Sequence, residues 1–423
     1  MLNLTRSDRE MLDGAHGEAS RFAMSVIVRM AEAVGAEELI SVEQAHIDAC
    51  ALMSPSSLDL VSHLAANGGR VSIPTTLSMV SLDLEHWETL GVPAEFAEIS
   101  LQIAEAYLSL GCIPAWTCAP YQGYLTPRYG QQIAWGESNA VAYANSVLGA
   151  RTNRYADYLD ICAALTGRVP FTGLHRYENR RAALHIHLEK TSAADWATPA
   201  AWAAFGSLVG SLVGEHVPVI DGLPPLRPSN DMLKAFGAAA ASAGSVGLFH
   251  IVGITPEAHD LQSACHGRDS IESCGIQRGQ LRDSWNELSS CVAGNSLDAV
   301  ILGCPHFSYA EFEELARAVR NIDTRSLHGN VQFLVFSSAT SIELARRGDL
   351  LEPLRQFGVT LVQDTCPFHS PVVASDAQAI MTNSGKCAYY APGELDVGVH
   401  FGSLRSCVES AVTGKACGRR NPW

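Results

Sequence analysis

The chain has 423 residues, of which 47% are hydrophobic and 17% are charged. A chain of this length exceeds one small core, so we expect two domains, or one large α/β body with a lobe. The formal net charge of −15 argues against a nucleic acid or an anionic membrane as the main partner, because both require a basic surface. A small carboxylate substrate needs only a local group of donors and stays compatible with this charge.

The cysteines point to a reducing compartment. All twelve are irregularly spaced and include no Cys-x-x-Cys pair, whereas secreted disulfide scaffolds are short and dense in cysteine. The first ten residues have no apolar segment of the kind found in secretory signals. The uncharged run 235–256 is rich in Gly, Ala and Ser, which favours a buried helix followed by a buried strand over a membrane span. We therefore expect a cytoplasmic protein.

The first part of the chain is predicted to be largely helical. Apolar residues from Phe22 to Ala31 recur at helical spacing. Further helices are expected over 41–50, 56–65, 95–110 and 138–148. Short strands are expected over 71–73 and 113–116, so that Cys118 would lie just past a strand end.

From about residue 182 the pattern alternates between strands and helices. Apolar runs of strand length lie at 185–188, 217–220, 246–252, 298–302, 331–336 and 359–362. Helices are expected over 199–213, 309–319 and 341–347. This alternation predicts parallel βαβ units. We expect a helical and active-site loop region over 1–180 and an α/β region over 181–423, with a soft boundary near 175–230.

Three cysteines share one setting. Cys118, Cys304 and Cys366 each lie just beyond a predicted strand and close to a proline. Thiolates are soft ligands that select zinc, copper or iron–sulfur clusters. Three of them from distant loops would form a site only in the finished fold, with a metal position open for substrate. For each cysteine the alternative is an ordinary buried thiol.

Polar segments follow Cys118. Glu137-Ser138 stands at a predicted helix start, where it either caps the helix or binds substrate or acts as acid or base. Arg151-Thr152-Asn153 follows a glycine-containing turn, and arginine suits bidentate carboxylate binding, although a surface salt bridge would also explain it. His175 is either structural or part of the substrate site.

A further polar segment, Asn383-Ser384-Gly385-Lys386, follows the apolar run 379–381. Its amide, hydroxyl and ammonium donors suit an anionic group. It is not a P-loop, because the Gly-x-x-x-x-Gly frame is missing. A capped strand-to-helix turn is the alternative interpretation.

Many ordered motifs extend from the N-terminal helix to about Gly402. They are Thr117-Cys118-Ala119-Pro120-Tyr121, Ile133-Ala134-Trp135-Gly136-Glu137-Ser138, Ala144-Asn145-Ser146-Val147-Leu148-Gly149-Ala150-Arg151-Thr152-Asn153-Arg154, Leu165-Thr166-Gly167-Arg168, Val252-Gly253-Ile254-Thr255-Pro256-Glu257-Ala258, Leu302-Gly303-Cys304-Pro305-His306, Asp364-Thr365-Cys366-Pro367 and Met381-Thr382-Asn383-Ser384. Together they resemble the aconitase X family.

The resemblance implies an α/β body of the aconitase superfamily and a dehydratase with an iron–sulfur cluster, either [2Fe-2S] or [3Fe-4S]/[4Fe-4S]. It assigns Cys118, Cys304 and Cys366 as the cluster ligands. It also implies a small swivelling domain that this chain lacks, so a separate small subunit is expected.

The activity implied by the resemblance is removal of water from cis-3-hydroxy-L-proline to give Δ1-pyrroline-2-carboxylate. The segments 45–50 and 158–162 are closer to that branch. The alternatives are the large subunit of a mevalonate 5-phosphate dehydratase and a non-catalytic iron–sulfur redox sensor.

The polar segments then receive roles as hypotheses. The expected catalytic residues are Glu137, Ser138 and Lys386. The expected substrate-binding residues are Arg151, Thr152, Asn153, His175, Asn383 and Ser384. A residue of the small subunit could supply the base instead.

Overall fold

The computed structural model describes residues 2–268, 271–291, 296–322, 326–417 and 421–423. The chain forms two units, Met1–Arg181 and Ala182–Trp423. Within the described ranges, none of the helices combines the length and apolarity that a membrane span requires.

The first unit packs helices around two small sheets. Its helices are α1 (Arg6–Leu12), α2 (Glu18–Ala33), α3 (Pro55–Ala66), α4 (Ala94–Ser109), α5 (Ser138–Ser146) and α6 (Leu159–Thr166). Its strands are β1 (Leu39–Ser41), β2 (Ala45–Ile47), β3 (Thr75–Leu77), β4 (Ala134–Trp135) and β5 (Arg168–Pro170). Strands β3, β2 and β4 form a parallel sheet in that order, and β1 pairs antiparallel with β5.

The predicted helix from Phe22 to Ala31 is confirmed as part of α2. Its buried side chains include Ala23, Met24 and Ile27, which recur at the three- to four-residue spacing of one helix face. This face joins the main core of the first unit, to which α6 also contributes.

The helix predicted over 41–50 is wrong. The chain there forms β1 and β2, and all three β2 residues are buried. Strand β2 pairs with β3 and β4, segments that are distant in sequence. These long-range pairings override the local helical pattern, as tertiary context often does for short segments.

The strands predicted over 71–73 and 113–116 are also wrong. The strand begins later, at Thr75, because the β-branched pair Thr75-Thr76 suits the sheet. Of the later segment, Ile113 makes an isolated parallel bridge to Thr76. Trp116 then turns the chain away with a φ of 42°.

The second unit alternates strands and helices, as predicted. Its strands are β6 (Leu184–Leu188), β7 (Pro218–Asp221), β8 (His250–Ile251), β9 (Glu272–Ile276), β10 (Ala299–Leu302), β11 (Gln332–Ser337), β12 (Thr360–Gln363), β13 (Ala379–Thr382) and β14 (Gly398–Phe401). Its helices are α7 (Pro199–Val213), α8 (Asn230–Gly244), α9 (Leu261–Ala264), α10 (Arg278–Glu287), α11 (Tyr309–Arg320), α12 (Ala339–Arg347), α13 (Leu351–Phe357), α14 (Gly385–Glu394) and α15 (Leu404–Thr413).

These strands form two parallel sheets, with the orders β8-β7-β6-β9 and β12-β11-β10-β13-β14. Strand β10 is buried at all four positions, which is typical of a parallel strand covered on both faces. The α/β class and its parallel units are confirmed. The uncharged run 235–256 includes most of α8 and all of β8, the helix and strand that its composition indicates.

Candidate active site

The first cysteine loop of the second unit follows β10. Gly303 there has a φ of 91°, and a β-carbon at this position would collide with the Phe336 carbonyl. Glycine is therefore required for the chain to turn close above the neighbouring strand. The turn leaves Cys304 buried, at 7% exposure, and Phe307 returns to donate its N–H to Phe336 O at 3.0 Å.

The second cysteine loop follows β12 and is bonded to the first. His306 Nε2 donates to Thr365 O at 3.0 Å, so the proton of this imidazole is on Nε2. His306 and Thr365 are both buried, and Cys366 is 6% exposed. Because β10 and β12 are parallel strands of one sheet, Cys304 and Cys366 lie at the same carboxyl edge, where open α/β sheets place ligands.

The segment after β13 joins this edge. Ser384 caps α14 by accepting from Cys387 N at 3.0 Å, and its hydroxyl donates to the carbonyl of Cys304. Asn383 lines a small pocket together with Cys304. Lys386 lies half-buried in the first turn of α14. The expected capping role of Ser384 is thus present together with a direct link to the cysteine loop.

A buried cation supports the Cys304 loop from the other side. Lys234 Nζ is 2.5 Å from Glu311 Oε2 and 3.1 Å from Asp231 Oδ1, and it donates to His306 O at 3.1 Å. Burial alone would lower the pKa of Lys234, but the two carboxylates raise it well above its ordinary value. Lys234 is therefore charged and anchors the loop.

Cys118 belongs to the first unit. Two backbone N–H groups fix its loop, since Thr117 N donates to Leu77 O at 3.2 Å and Ala119 N donates to the Thr117 hydroxyl Oγ1 at 3.1 Å. Cys118 is 6% exposed. This thiol lies beside the β3 end of the small parallel sheet rather than after a strand of its own.

Glu137 caps α5 from the end of β4. Its Oε1 accepts from Asn139 Nδ2 at 2.8 Å, from Ser138 Oγ at 3.1 Å and from Asn139 N at 3.2 Å. The side chain is 2% exposed. Three donors on one oxygen hold this carboxylate in a single orientation, while Ser138 is half-buried at the helix start.

Two further residues, to which sequence reasoning gave no role, lie in this region. His46 lies near Glu137, and Asp160 lies against Gly136. Burial lowers the pKa of His46 to about 4, although the nearby Glu137 carboxylate opposes this. Asp160 Oδ2 accepts from Asp48 N at 2.6 Å, and a β-carbon on Gly136 would lie 2.7 Å from that oxygen. The absence of a side chain at Gly136 therefore lets Asp160 approach the chain next to Glu137.

Asp160 is a buried carboxyl group with a shifted pKa. Burial raises its pKa to about 7, although the backbone N–H groups of Asp48 and Ile161 oppose the shift. A pKa near neutrality suits a group that takes up and releases protons. The signal in the sequence was an acidic residue within the otherwise apolar helix 159–166, a position where burial is expected.

The Arg151-Thr152-Asn153 segment is bonded into the first unit. Thr152 is fully buried, and its hydroxyl accepts from Trp135 N at 3.1 Å. Asn153 Oδ1 accepts from Leu174 N at 2.7 Å. The Arg151 guanidinium lies half-buried, 6.0 Å from the Tyr177 ring centre. The Thr152 and Asn153 side chains thus support the loop, and Arg151 is the charged residue of the segment.

His175 is a buried neutral histidine. Gln132 Nε2 donates to His175 O at 3.2 Å, which places Gln132 Oε1 beside the imidazole Nδ1 at 2.6 Å. The Nδ1 therefore carries the proton, and Nε2 accepts from Tyr155 OH at 2.5 Å. Burial, reinforced by Arg180 and Arg151, lowers the pKa of His175 to about 3. This is the bonding of a structural histidine.

The structure thus divides the predicted residues between its units. Cys304, Cys366, Asn383 and Ser384 meet at one sheet edge of the second unit, with Lys386 nearby. The first unit carries Cys118, Glu137, Ser138, Arg151, Thr152, Asn153 and His175. Buried thiols on loops tied by hydrogen bonds fit the soft-ligand requirement of an iron–sulfur cluster.

Sequence similarity to known proteins covers both units. Family models for the first, second and third domains of aconitase X match residues 1–178, 182–286 and 297–413. The chain is similar to the cis-3-hydroxy-L-proline dehydratase of Pseudomonas aeruginosa, with 44% identity over 98% of this chain and 71% of that protein. It is also similar to the phosphomevalonate dehydratase large subunit of Methanocaldococcus jannaschii, with 31% identity over 96% of this chain and 99% of that protein.

A solved structure shows the same fold. The crystal structure of Thermococcus kodakaraensis aconitase X in its holo-form matches with a TM-score of 0.86 and 28% identity, covering 97% of this chain and all of that one. The resemblance inferred from the motifs is confirmed. The chain belongs to the aconitase X family.

Proposed function

We propose that the chain is the large part of an iron–sulfur-dependent hydro-lyase that dehydrates cis-3-hydroxy-L-proline to Δ1-pyrroline-2-carboxylate. The observation that carries this proposal is the difference between its relatives. Identity is 44% to the dehydratase that acts on the hydroxyproline and 31% to the large subunit of phosphomevalonate dehydratase, over nearly the same part of this chain.

Cys118, Cys304 and Cys366 are the residues that would hold the cluster. When bound, such a cluster supplies a Lewis acid that makes a hydroxyl group a better leaving group. The bonds from His306 and Ser384 support this assignment, because they fix the two cysteine loops of the second unit before any ligand binds. Thiolate ligands also suit a reducing compartment, for which we propose the cytoplasm.

The elimination requires a base for the proton on the carbon that carries the carboxylate. The carbon–hydrogen and carbon–hydroxyl bonds break, a carbon–carbon double bond forms, and the enamine product tautomerises to the imine of Δ1-pyrroline-2-carboxylate. Glu137 is our first candidate base, because three donors to Oε1 fix its orientation. Asp160 is the second, because burial brings its pKa to about 7.

The substrate carboxylate needs fixed donors. Arg151 is the proposed anchor in the first unit, since a guanidinium binds carboxylates in a bidentate manner. Asn383, Ser384 and Lys386 are proposed to provide donors in the second unit, with Ser138 and Lys386 available for proton transfer. Thr152, Asn153 and His175 would act by supporting the loop of Arg151, since their side chains bond within the fold.

We also propose that a small subunit works with this chain. The name of the Methanocaldococcus jannaschii relative, of which the chain covers 99%, identifies a large subunit. The match covers 71% of the Pseudomonas aeruginosa enzyme. A small subunit would correspond to the remainder of that enzyme and could contribute a further acid or base. Because the chain covers 99% of the phosphomevalonate dehydratase large subunit, mevalonate 5-phosphate dehydration is the second candidate activity.

The test is an assay of the anaerobically purified protein with its small-subunit partner, on cis-3-hydroxy-L-proline and on mevalonate 5-phosphate. We expect turnover of the first substrate, detected as the imine product, and none of the second. Turnover of mevalonate 5-phosphate alone would reverse the assignment. A complex that contains iron but turns over neither substrate would favour a redox sensor.

A further inference from the structure

The second unit carries a group of metal-ligating side chains on its four-stranded sheet, whereas Cys304 and Cys366 follow strands of the five-stranded sheet. His185 and His187 lie on β6, and Asp221 ends β7. Their ligand atoms all lie within 4.8 Å of one another. His187 Nδ1 is 2.6 Å from Asp221 Oδ1, and His185 Nε2 is 3.1 Å from the same oxygen.

Strand geometry brings these three side chains together. Ile186 and Leu188 of β6 are buried, whereas His185 and His187 alternate with them on the opposite face. In the parallel pairing of β6 with β7, His187 lies beside Asp221, so the carboxylate projects from the same face. The positions of all three Cα atoms are therefore set by one sheet.

The surroundings leave room for an ion and a route to it. On the other side of His187, the paired residue of β9 is Gly275, where a β-carbon would meet nothing within 4 Å. The His187 side chain is 59% exposed. His185 lines a groove together with Gln262 and Arg268, so solutes can reach the group from that side as well.

We propose that His185, His187 and Asp221 bind a divalent transition-metal ion such as Zn²⁺ or Co²⁺. Two imidazole nitrogens and one carboxylate oxygen form a donor set that such ions favour. Bonds of about 2.0–2.2 Å to each ligand require ligand atoms on the order of 3–4 Å apart, and the observed separations, from 2.6 Å to at most 4.8 Å, span that range. Three protein ligands leave coordination positions for water or a small anion.

This metal site is chemically distinct from the proposed cluster site. Its donors are nitrogen and oxygen atoms, whereas the cluster ligands are thiolates. The difference gives a direct spectroscopic test, because thiolate-bound Co²⁺ shows sulfur-to-metal charge-transfer absorption and Co²⁺ bound by nitrogen and oxygen does not.

The experiment is a titration of the purified protein with CoCl₂, followed as a difference spectrum against the protein without cobalt. We expect one equivalent to bind with d–d bands and without the charge-transfer band. His187→Ala and Asp221→Ala should each weaken this binding by at least about tenfold. His187 is exposed, so its replacement should leave the fold intact.

The matched control is His259→Ala. His259 is also an exposed histidine near a carboxylate, with Nδ1 3.9 Å from Asp260 Oδ2, but it is outside the three-ligand group. Its replacement should leave cobalt binding unchanged. ZnCl₂ should raise the unfolding temperature of the native protein and of His259→Ala more than that of His187→Ala.

Three outcomes would overturn the proposal. The first is the absence of cobalt binding by the native protein. The second is a cobalt affinity of the His187→Ala and Asp221→Ala variants equal to that of the native protein. The third is a charge-transfer band that disappears when cluster cysteines are replaced. In each case the group would be an ordinary pair of histidines beside an aspartate, with His187 hydrogen-bonded to Asp221.

Discussion

The carboxyl edge of the five-stranded sheet and the Glu137 region of the first unit both collect polar side chains, but they control them differently. At the sheet edge, Cys304 and Cys366 lie on loops held by hydrogen bonds to backbone carbonyls from His306, Ser384 and Lys234. Around Glu137, burial acts on the titratable groups themselves and shifts the pKa of His46 and Asp160.

The difference corresponds to two chemical tasks. Ligands that hold a metal need fixed positions, because a displaced donor is lost from the coordination sphere. Groups that move protons need an appropriate pKa, which desolvation supplies. The comparison supports the proposal that Cys304 and Cys366 at the sheet edge help to hold the cofactor and that the Glu137 region handles protons.

The largest effect is expected from the cysteines. Cys118→Ser, Cys304→Ser and Cys366→Ser should each abolish the iron content and the activity, because serine is a poor ligand for iron in a thiolate site. Iron analysis and visible absorbance of the anaerobically purified variants measure this. The control is Cys274→Ser, at a partly exposed thiol of β9, which should retain iron. A variant that retains full iron content removes its cysteine from the proposed site.

The next prediction tests whether Glu137 moves a proton rather than holds a metal. Glu137→Gln preserves an oxygen acceptor for Ser138 and Asn139 but removes the charge. If Glu137 is the base, kcat should fall by about 10²–10⁴ while iron content stays unchanged. Ser138→Ala removes one donor to Glu137 and should cost less. Activity of Glu137→Gln within tenfold of the native value would assign the base to Asp160 or to the small subunit.

A stability effect is expected at Lys234. Lys234→Met leaves the buried carboxylate of Glu311 and the partly buried carboxylate of Asp231 without their cation, which should lower the free energy of unfolding by about 3–5 kcal/mol. Denaturant titration measures the loss. The matched control is Arg346→Met, which breaks the exposed pair with Glu343 and should cost much less, because water and salt screen an exposed ion pair. Equal losses in the two variants would contradict a special role for burial.

The last prediction concerns the pH dependence of stability. The folded pKa of Asp160 is about 7, above its ordinary value of 3.8, so between these values the folded state binds more protons than the unfolded state. Its contribution to stability therefore falls as the pH rises from about 4 to 7, by up to about 1.4 kcal/mol per pH unit. Unfolding measured at several pH values should show a shallower fall in Asp160→Asn. An unchanged slope would show that Asp160 is ionised throughout that range.

Much of the fold follows from local patterns. The alternation of apolar runs and helical segments after residue 182 predicts the strands and helices of the second unit, because parallel strands buried on both faces read as continuous apolar runs. In the first unit the same reasoning failed over 41–50, where strand β2 depends on pairing with β3 and β4. No local pattern reveals a two-sided pairing of three residues.

The candidate site shows the same division. Cys304, Cys366 and Asn383-Ser384 could be grouped from the sequence, because each follows a strand and parallel strand ends share an edge. His46, Asp160 and Lys234 could not be given roles in this way. Their properties come from burial and from partners that only the folded chain supplies.

By itself, the sequence determined the α/β class, the family through its ordered motifs, and the cysteine loops that follow β10 and β12, because these depend on residue type and on short-range periodicity. The tertiary structure decided which polar groups are buried, which loops are bonded to one another, and that His185, His187 and Asp221 share one sheet face. Desolvation and hydrogen bonding act between residues that are distant along the chain, so their effects emerge only when those residues meet.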